Sequence, residues 1–130
     1  MEKNKQRLAF DTCPFNLLFN HFAQEVGQPY DKGGNIAKSG TVLPALLTAL
    51  EALDYYKIQG ARSLGRENIS EDFLPLLTHH SYSPKDILAT LSEHFANCIA
   101  EIILNHANSE KKTGKLLVTG GGAYNTFFTE

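Results

Sequence analysis

The apolar run Leu116-Leu117-Val118 leads through Thr119 into three consecutive glycines, Gly120, Gly121 and Gly122. No other feature limits the possible folds of this chain as tightly. The apolar run suits a buried strand, and the glycines remove every side chain from the loop behind it. Such a loop reaches backbone angles closed to other residues and lets a flat or anionic ligand come close to the main chain. A second junction of the same kind lies near the other terminus, where Leu8-Ala9-Phe10 runs into Asp11-Thr12. Two strand-to-loop junctions separated by helical sequence predict part of a nucleotide-handling α/β protein.

The sequence between the junctions is mostly helical. Arg7 to Asp11 reads as a strand stopped by Pro14. Asn16 to Val26 has helical spacing, with Leu18, Phe22 and Val26 on one stripe and Gly27 at the stop. Gln28 to Gly34 is a loop by composition. Thr41 is positioned to cap a helix running to Leu53, with Pro44 in its first turn and Leu43, Leu46, Leu47, Leu50 and Leu53 on its buried face. Lys57 to Glu67 reads as a loop, and Glu71 to Thr78 as a short helix limited by Pro75. The clearest helix starts at Ser83 as N-cap, with Pro84 at its first position and Asp86 completing a capping-box-like arrangement. It extends to about Asn108. Ile87, Leu91, Phe95, Ile99, Ile102 and His106 form its stripe, broadened by Leu88, Cys98 and Ile103. A last helix starts near Asn125.

Size and charge narrow the function. At 130 residues the chain is one domain or a piece of one. Twelve basic against fourteen acidic side chains predict no strong attraction to nucleic acid or anionic lipid. No secretory signal is visible, and no stretch reads as a membrane span, because Asn97 and Glu101 interrupt the most apolar helix. Cys13 and Cys98 are expected as reduced thiols in a cytoplasmic protein. A two-stranded sheet is marginal alone, so the chain reads as one incomplete domain, residues 1–130, of a larger α/β fold.

Several residues carry candidate chemistry. Asp11, a carboxylate at a strand end, can take a proton from an attacking water or orient a metal-bound one; as a structural residue it would cap the helix beginning near Pro14. Thr12 and Asn16 stand where a helix N-terminus favours phosphate oxygens, although Asn16 equally suits a local turn. Gly120, Gly121 and Gly122 can make room for a nucleoside or form a tight turn, and Asn125 either meets ligand or caps the last helix. Lys32, Arg62 and Arg66 lie in polar loops, where most cations are simply solvated. His94 and Cys98 are four apart on one helix with His79-His80 upstream, but zinc sites group four donors more tightly, so no metal site is assigned. His94 is expected on the helix surface and Cys98 in the core.

At both junctions and between them the sequence resembles the anhydro-N-acetylmuramic acid kinases, in the actin-like and sugar-kinase ATPase superfamily. Asp11-Thr12-Cys13-Pro14-Phe15-Asn16 is similar to the family's DTGPGN loop. Pro29-Tyr30-Asp31-Lys32 matches its PYDK, and Ala37-Lys38-Ser39-Gly40 its AxSG. Arg62-Ser63-Leu64-Gly65-Arg66-Glu67 resembles KSTGRE, and Thr119-Gly120-Gly121-Gly122-Ala123-Tyr124-Asn125 resembles CGGGAHN. Each motif is weak alone; five in register over nearly the whole chain are strong. Cys13 and Phe15 depart from the pattern by replacing two glycines, Leu64 by replacing a threonine and Arg62 by replacing a lysine.

The resemblance implies a helix-rich part of the C-terminal lobe of an actin-like, ribonuclease H-like ATPase with few strands. It implies ATP with Mg2+ as cofactors and an anhydro-amino-sugar as substrate. Water opens the 1,6-anhydro bridge while the sugar is phosphorylated to N-acetylmuramic acid 6-phosphate, for peptidoglycan recycling. On that basis Asp11 is the general base, the DTGPGN-like loop with Thr12 and Asn16 faces phosphates and sugar, and Gly120 to Gly122 with Asn125 lie by the adenosine. The family's N-terminal phosphate loop has no counterpart in these residues, so the chain alone is expected not to catalyse. Two alternatives stand beside this reading. One is a non-catalytic helical module that self-associates through strand edges and the terminal phenylalanines, and a homo-oligomer is expected in either case. The other is a dinucleotide-binding domain, disfavoured because the spacing GxGxxG would need its third glycine at Asn125.

Overall fold

The computed structural model describes residues 2–3, 6–7, 15–53, 69–78, 81–106 and 125–129. Of the strand expected over Arg7 to Asp11, Arg7 is described and Leu8 to Asp11 lie outside these residues, as do the strand expected over Leu116 to Val118 and the 57–67 loop. The fold is helix-rich. Its described strands are two short ones, β1 (Glu2–Lys3) and β2 (Gln6–Arg7), paired antiparallel with Glu2 opposite Arg7 and Lys3 opposite Gln6.

Helix α1 spans Phe15–Gln24 and ends in a cap formed by Gly27 N–H to Gln24 O and Gln28 N–H to Ala23 O, both 3.0 Å. The expected stripe holds for Leu18 and Phe22, joined by Phe19 and Ala23, all buried. Val26 departs from it: it lies in the cap, past the last helical residue, and is exposed. Next comes a tight turn, Lys32–Gly34, and then α2, Asn35–Ser39. Composition alone reads the turn as loop and gives no signal for so short a helix. Asp31 explains it: its carboxylate accepts from the backbone N–H groups of Ile36 (2.7 Å) and Ala37 (3.0 Å). Two of the helix's orphan donors are thereby satisfied by one buried side chain.

Helix α3 spans Pro44–Glu51 with Pro44 in its first turn. Leu46 and Leu50 are buried, and Leu43, Leu47 and Leu53 are half-buried. Thr41 is not its cap; Leu43 holds that position, and the Thr41 N–H instead donates to Asp86 Oδ1 at 2.8 Å. A π-helical turn, Ile69–Phe73, leads into α4, Leu74–Thr78. Pro75 explains the wide turn: it has no N–H for the Glu71 carbonyl and its ring would crowd it.

The longest helix, α5, spans Pro84–His106. It starts as predicted, but Asp86 reaches across to Thr41 rather than completing a local capping box. Residues 87–92 are buried on every side of it: Ile87, Leu88 and Leu91 join the core, and Thr90 and Ser92 are enclosed as well. Buried His94 and Phe95 follow, with Glu93 between them and the preceding turn exposed. Further on the burial falls to one stripe; Ile99, Ile102 and Ile103 are half-buried and Leu104 is exposed. The His106 side chain lies outside the described residues. By length and composition Pro84–Leu104 is apolar enough to cross a membrane. It is instead the central helix of the fold, with α1, α2 and α3 packed against it.

The polar groups inside the core are bonded. Thr90 Oγ1 donates to Asp86 O (2.8 Å) and accepts from Leu43 N–H (2.9 Å), and Ser92 Oγ donates to Leu88 O (2.9 Å). Among the described residues, no buried side-chain nitrogen or oxygen lacks a partner. The last helix, α6, spans Thr126–Thr129 and starts where the sequence places it. It rests on the Lys32–Gly34 turn and on α2.

Candidate functional site

Of the residues assigned to ligand from sequence, Asn16 and Asn125 fall within the described structure. Asp11, Thr12, Gly120, Gly121 and Gly122 lie outside it, as do Arg62, Arg66, Cys13, His79 and His80. Asn16 is exposed in the first turn of α1. There the helix dipole favours an anion. Lys32 is exposed on the turn beneath α6.

Asn125 is buried at 7 % exposure and caps α6: its Oδ1 accepts from Phe128 N–H at 3.0 Å, and its carbonyl accepts from Thr129 N–H at 3.0 Å. One of the two sequence readings of this residue is therefore the cap it forms. A contact with ligand, if made, uses its other atoms.

The starts of α1 and α6 are tied together by aromatic packing. Phe19 lies edge-on to Phe128 with ring centroids 6.4 Å apart, and edge-on to Phe95 of α5 at 5.5 Å. Asn16 lies three residues before Phe19, and Asn125 three before Phe128. Each thus sits about 5 Å along its chain from the shared contact. Of the two candidate segments, 11–16 and 120–125, the described residues Asn16 and Asn125 are the ones near this contact.

Sequence reasoning missed three residues that shape the corner. Asp31 anchors α2 as described above. Gly34 has φ +76° and no room for a side chain, because a Cβ there would overlap Asn125 Oδ1 and stand 2.5 Å from Phe127 Cβ. Gly40 lies against the start of α5, where a Cβ would overlap the Lys85 carbonyl oxygen. An acid followed by Lys-Gly-Gly was the available signal for the first two, as a cap joined to a left-handed turn.

His94 and Cys98 reverse their expected places: the imidazole is fully buried and the thiol is half-buried. Position 94 faces inward because it lies three residues after Leu91 and seven after Ile87, on the buried side of α5, while Glu93, Ala96 and Asn97 are exposed. Cys98 is a thiol, with Sγ 3.7 Å from His94 Nε2. Burial lowers the His94 pKa to about 4, against a smaller opposing pull from the Glu51 carboxylate. A base that weak does not ionise a thiol near neutral pH, so the pair is no activated nucleophile.

The chain matches a family model described as anhydro-N-acetylmuramic acid kinase over residues 1–130. The chain belongs to this family. Among the similar curated proteins is the anhydro-N-acetylmuramic acid kinase of Variovorax paradoxus, 38 % identical over 126 residues, covering 95 % of this chain. Those of Aliivibrio fischeri and Legionella pneumophila are 34 % and 35 % identical, covering 100 % and 98 % of it. In each case the chain spans about a third of the relative's length, 33–35 %.

Proposed function

We propose that this chain supplies part of one lobe of an actin-like ATPase that phosphorylates an anhydro-amino-sugar. The observation that carries the reading is the family match over residues 1–130. Asp11 serves as general base, drawing a proton from the water that opens the 1,6-anhydro bridge. Thr12 and Asn16 donate to phosphate or sugar oxygens at the start of α1, and the exposure of Asn16 in that first turn fits such a contact. Gly120, Gly121 and Gly122 admit the adenosine, with Asn125 at the end of the bend.

ATP supplies the phosphoryl group, and Mg2+ offsets its charge. Mg2+ asks little of a protein beyond one or two carboxylates, since substrate phosphates and water complete its shell. The product is N-acetylmuramic acid 6-phosphate for peptidoglycan recycling, and the setting is the cytoplasm. Assembly of more than one copy belongs to the same proposal, supported by the exposed apolar side chains of Leu104 and Phe127.

Two experiments test this. Calorimetric titration of the chain with MgATP and with NAD should give heat with MgATP; a response to NAD alone refutes the reading. Grafting the chain into the Variovorax relative in place of its matching segment should preserve sugar phosphorylation. Asp11→Asn in that graft should lower kcat at least 100-fold with little change in ATP KM. Unchanged turnover removes Asp11 from the chemistry.

A further inference from the structure

The geometry points to Asp31 and Gly34 as positioning residues that set Asn125, and through it the nucleotide end of the site; this rests on the reading above. Three observations meet there. The Asp31 carboxylate is buried and binds the backbone N–H groups of Ile36 and Ala37 with both oxygens. That fixes the turn between them, in which Gly33 and Gly34 both have positive φ, +64° and +76°. Gly34 is then pressed flush against Asn125 Oδ1, the atom that caps α6, and against Phe127.

The turn therefore sets the height and orientation of the α6 start. Neither Asp31 nor Gly34 needs to touch ligand. Their effect is to hold Asn125 in one place before nucleotide arrives, so that binding does not have to order it.

Gly33 provides an internal control. It shares the left-handed backbone, so alanine there meets the same conformational penalty, yet its Cβ would meet Thr126 Oγ1 at 3.6 Å and the Asn35 amide at 3.9 Å, both ordinary contacts. Any excess effect at Gly34 reports the contact with Asn125. The experiment uses the isotopically labelled chain, with hydrogen exchange read at the Phe128 and Thr129 amides and MgATP titrated while the Asn125 amide is followed. For Gly34→Ala, exchange at Phe128 should accelerate at least tenfold relative to Gly33→Ala, and the Kd for MgATP should rise at least fivefold. Asp31→Asn keeps one acceptor oxygen and should give intermediate shifts of both.

Equal Kd values for the two glycine variants, with MgATP still binding, would overturn the inference alone. So would faster exchange at Gly34→Ala without a change in Kd, which would leave the turn a purely structural seat. A wild-type chain whose signals ignore MgATP would instead sink the nucleotide reading and this inference with it.

Discussion

Replacing Gly40 by alanine isolates a single close approach between two backbones. Gly40 has φ −93°, a value any residue adopts, so the substitution carries no conformational penalty. The cost is steric. The added carbon would overlap the Lys85 carbonyl oxygen and stand 2.9 Å from the Asp86 nitrogen, both in the first turn of α5. Backbone atoms have no rotamer by which to escape, so residues 40–43 must withdraw from α5 by roughly 1 Å to reach ordinary contact. Two hydrogen bonds span that gap, Thr41 N–H to Asp86 Oδ1 at 2.8 Å and Leu43 N–H to Thr90 Oγ1 at 2.9 Å. A bond to a charged acceptor contributes about 1.5–3 kcal/mol and a neutral one about 0.5–1.5, so the expected loss is about 3 kcal/mol. In urea, with a slope of about 1.5 kcal/mol per molar, the midpoint should fall by about 2 M at unchanged slope. Gly27→Ala is the matched comparison: φ is +81° with open space around the added carbon, so only the left-handed penalty of about 1 kcal/mol applies. If Gly40→Ala is no more destabilising than Gly27→Ala, the docking of this segment on α5 is wrong.

Two further outcomes follow from the core. At neutral pH His94 is uncharged in both folded and unfolded chains; below pH 6.5 the unfolded chain takes up the proton, while the folded one does so only near pH 4. Stability should therefore fall by about 3 kcal/mol across that window, and His94→Leu should flatten this part of the curve; parallel curves for the two proteins refute the assignment. Phe19→Ala removes the ring that joins Phe95 to Phe128 and should cost about 3–5 kcal/mol in denaturant melts. Exchange at the Thr129 amide should accelerate more than at Leu91, and an equal change at both would show that Phe19 does not couple α6 to the core.

Much of the helical skeleton was legible in the sequence because its signals are local. Pro44 and Pro84 mark helix starts through a missing donor, Gly27 marks a stop, and Leu18 with Phe22 shows the inward face of α1. One misreading involves partners far along the chain. Thr41 and Asp86 each have a plausible local capping role, yet they bond each other across 45 residues. His94 looked like a surface residue because its side chain is polar, yet its position, seven residues after Ile87 and three after Leu91, is on the buried stripe of α5. Helix α2 is too short for any periodic pattern; what holds it is the Asp31 carboxylate, which reads in sequence only as a polar residue in a loop.

This has a consequence for how the motifs are understood. Four of the five motif segments enter the described structure, and in three of them one residue is occupied with backbone geometry. Asp31 of the PYDK segment fixes α2, Gly40 of the AxSG segment lets residues 40–43 lie against α5, and Asn125 at the end of the glycine segment caps α6. Asn16 is exposed, as are Tyr30, Lys32 and Lys38. A motif match of this kind therefore identifies the family through the demands of its scaffold as much as through its chemistry. It does not follow that each matched residue touches ligand. Asp31, Gly34 and Gly40 hold α2, the turn before it and the segment against α5, so substitutions there should change stability, whereas a substitution at exposed Asn16 should leave stability unchanged.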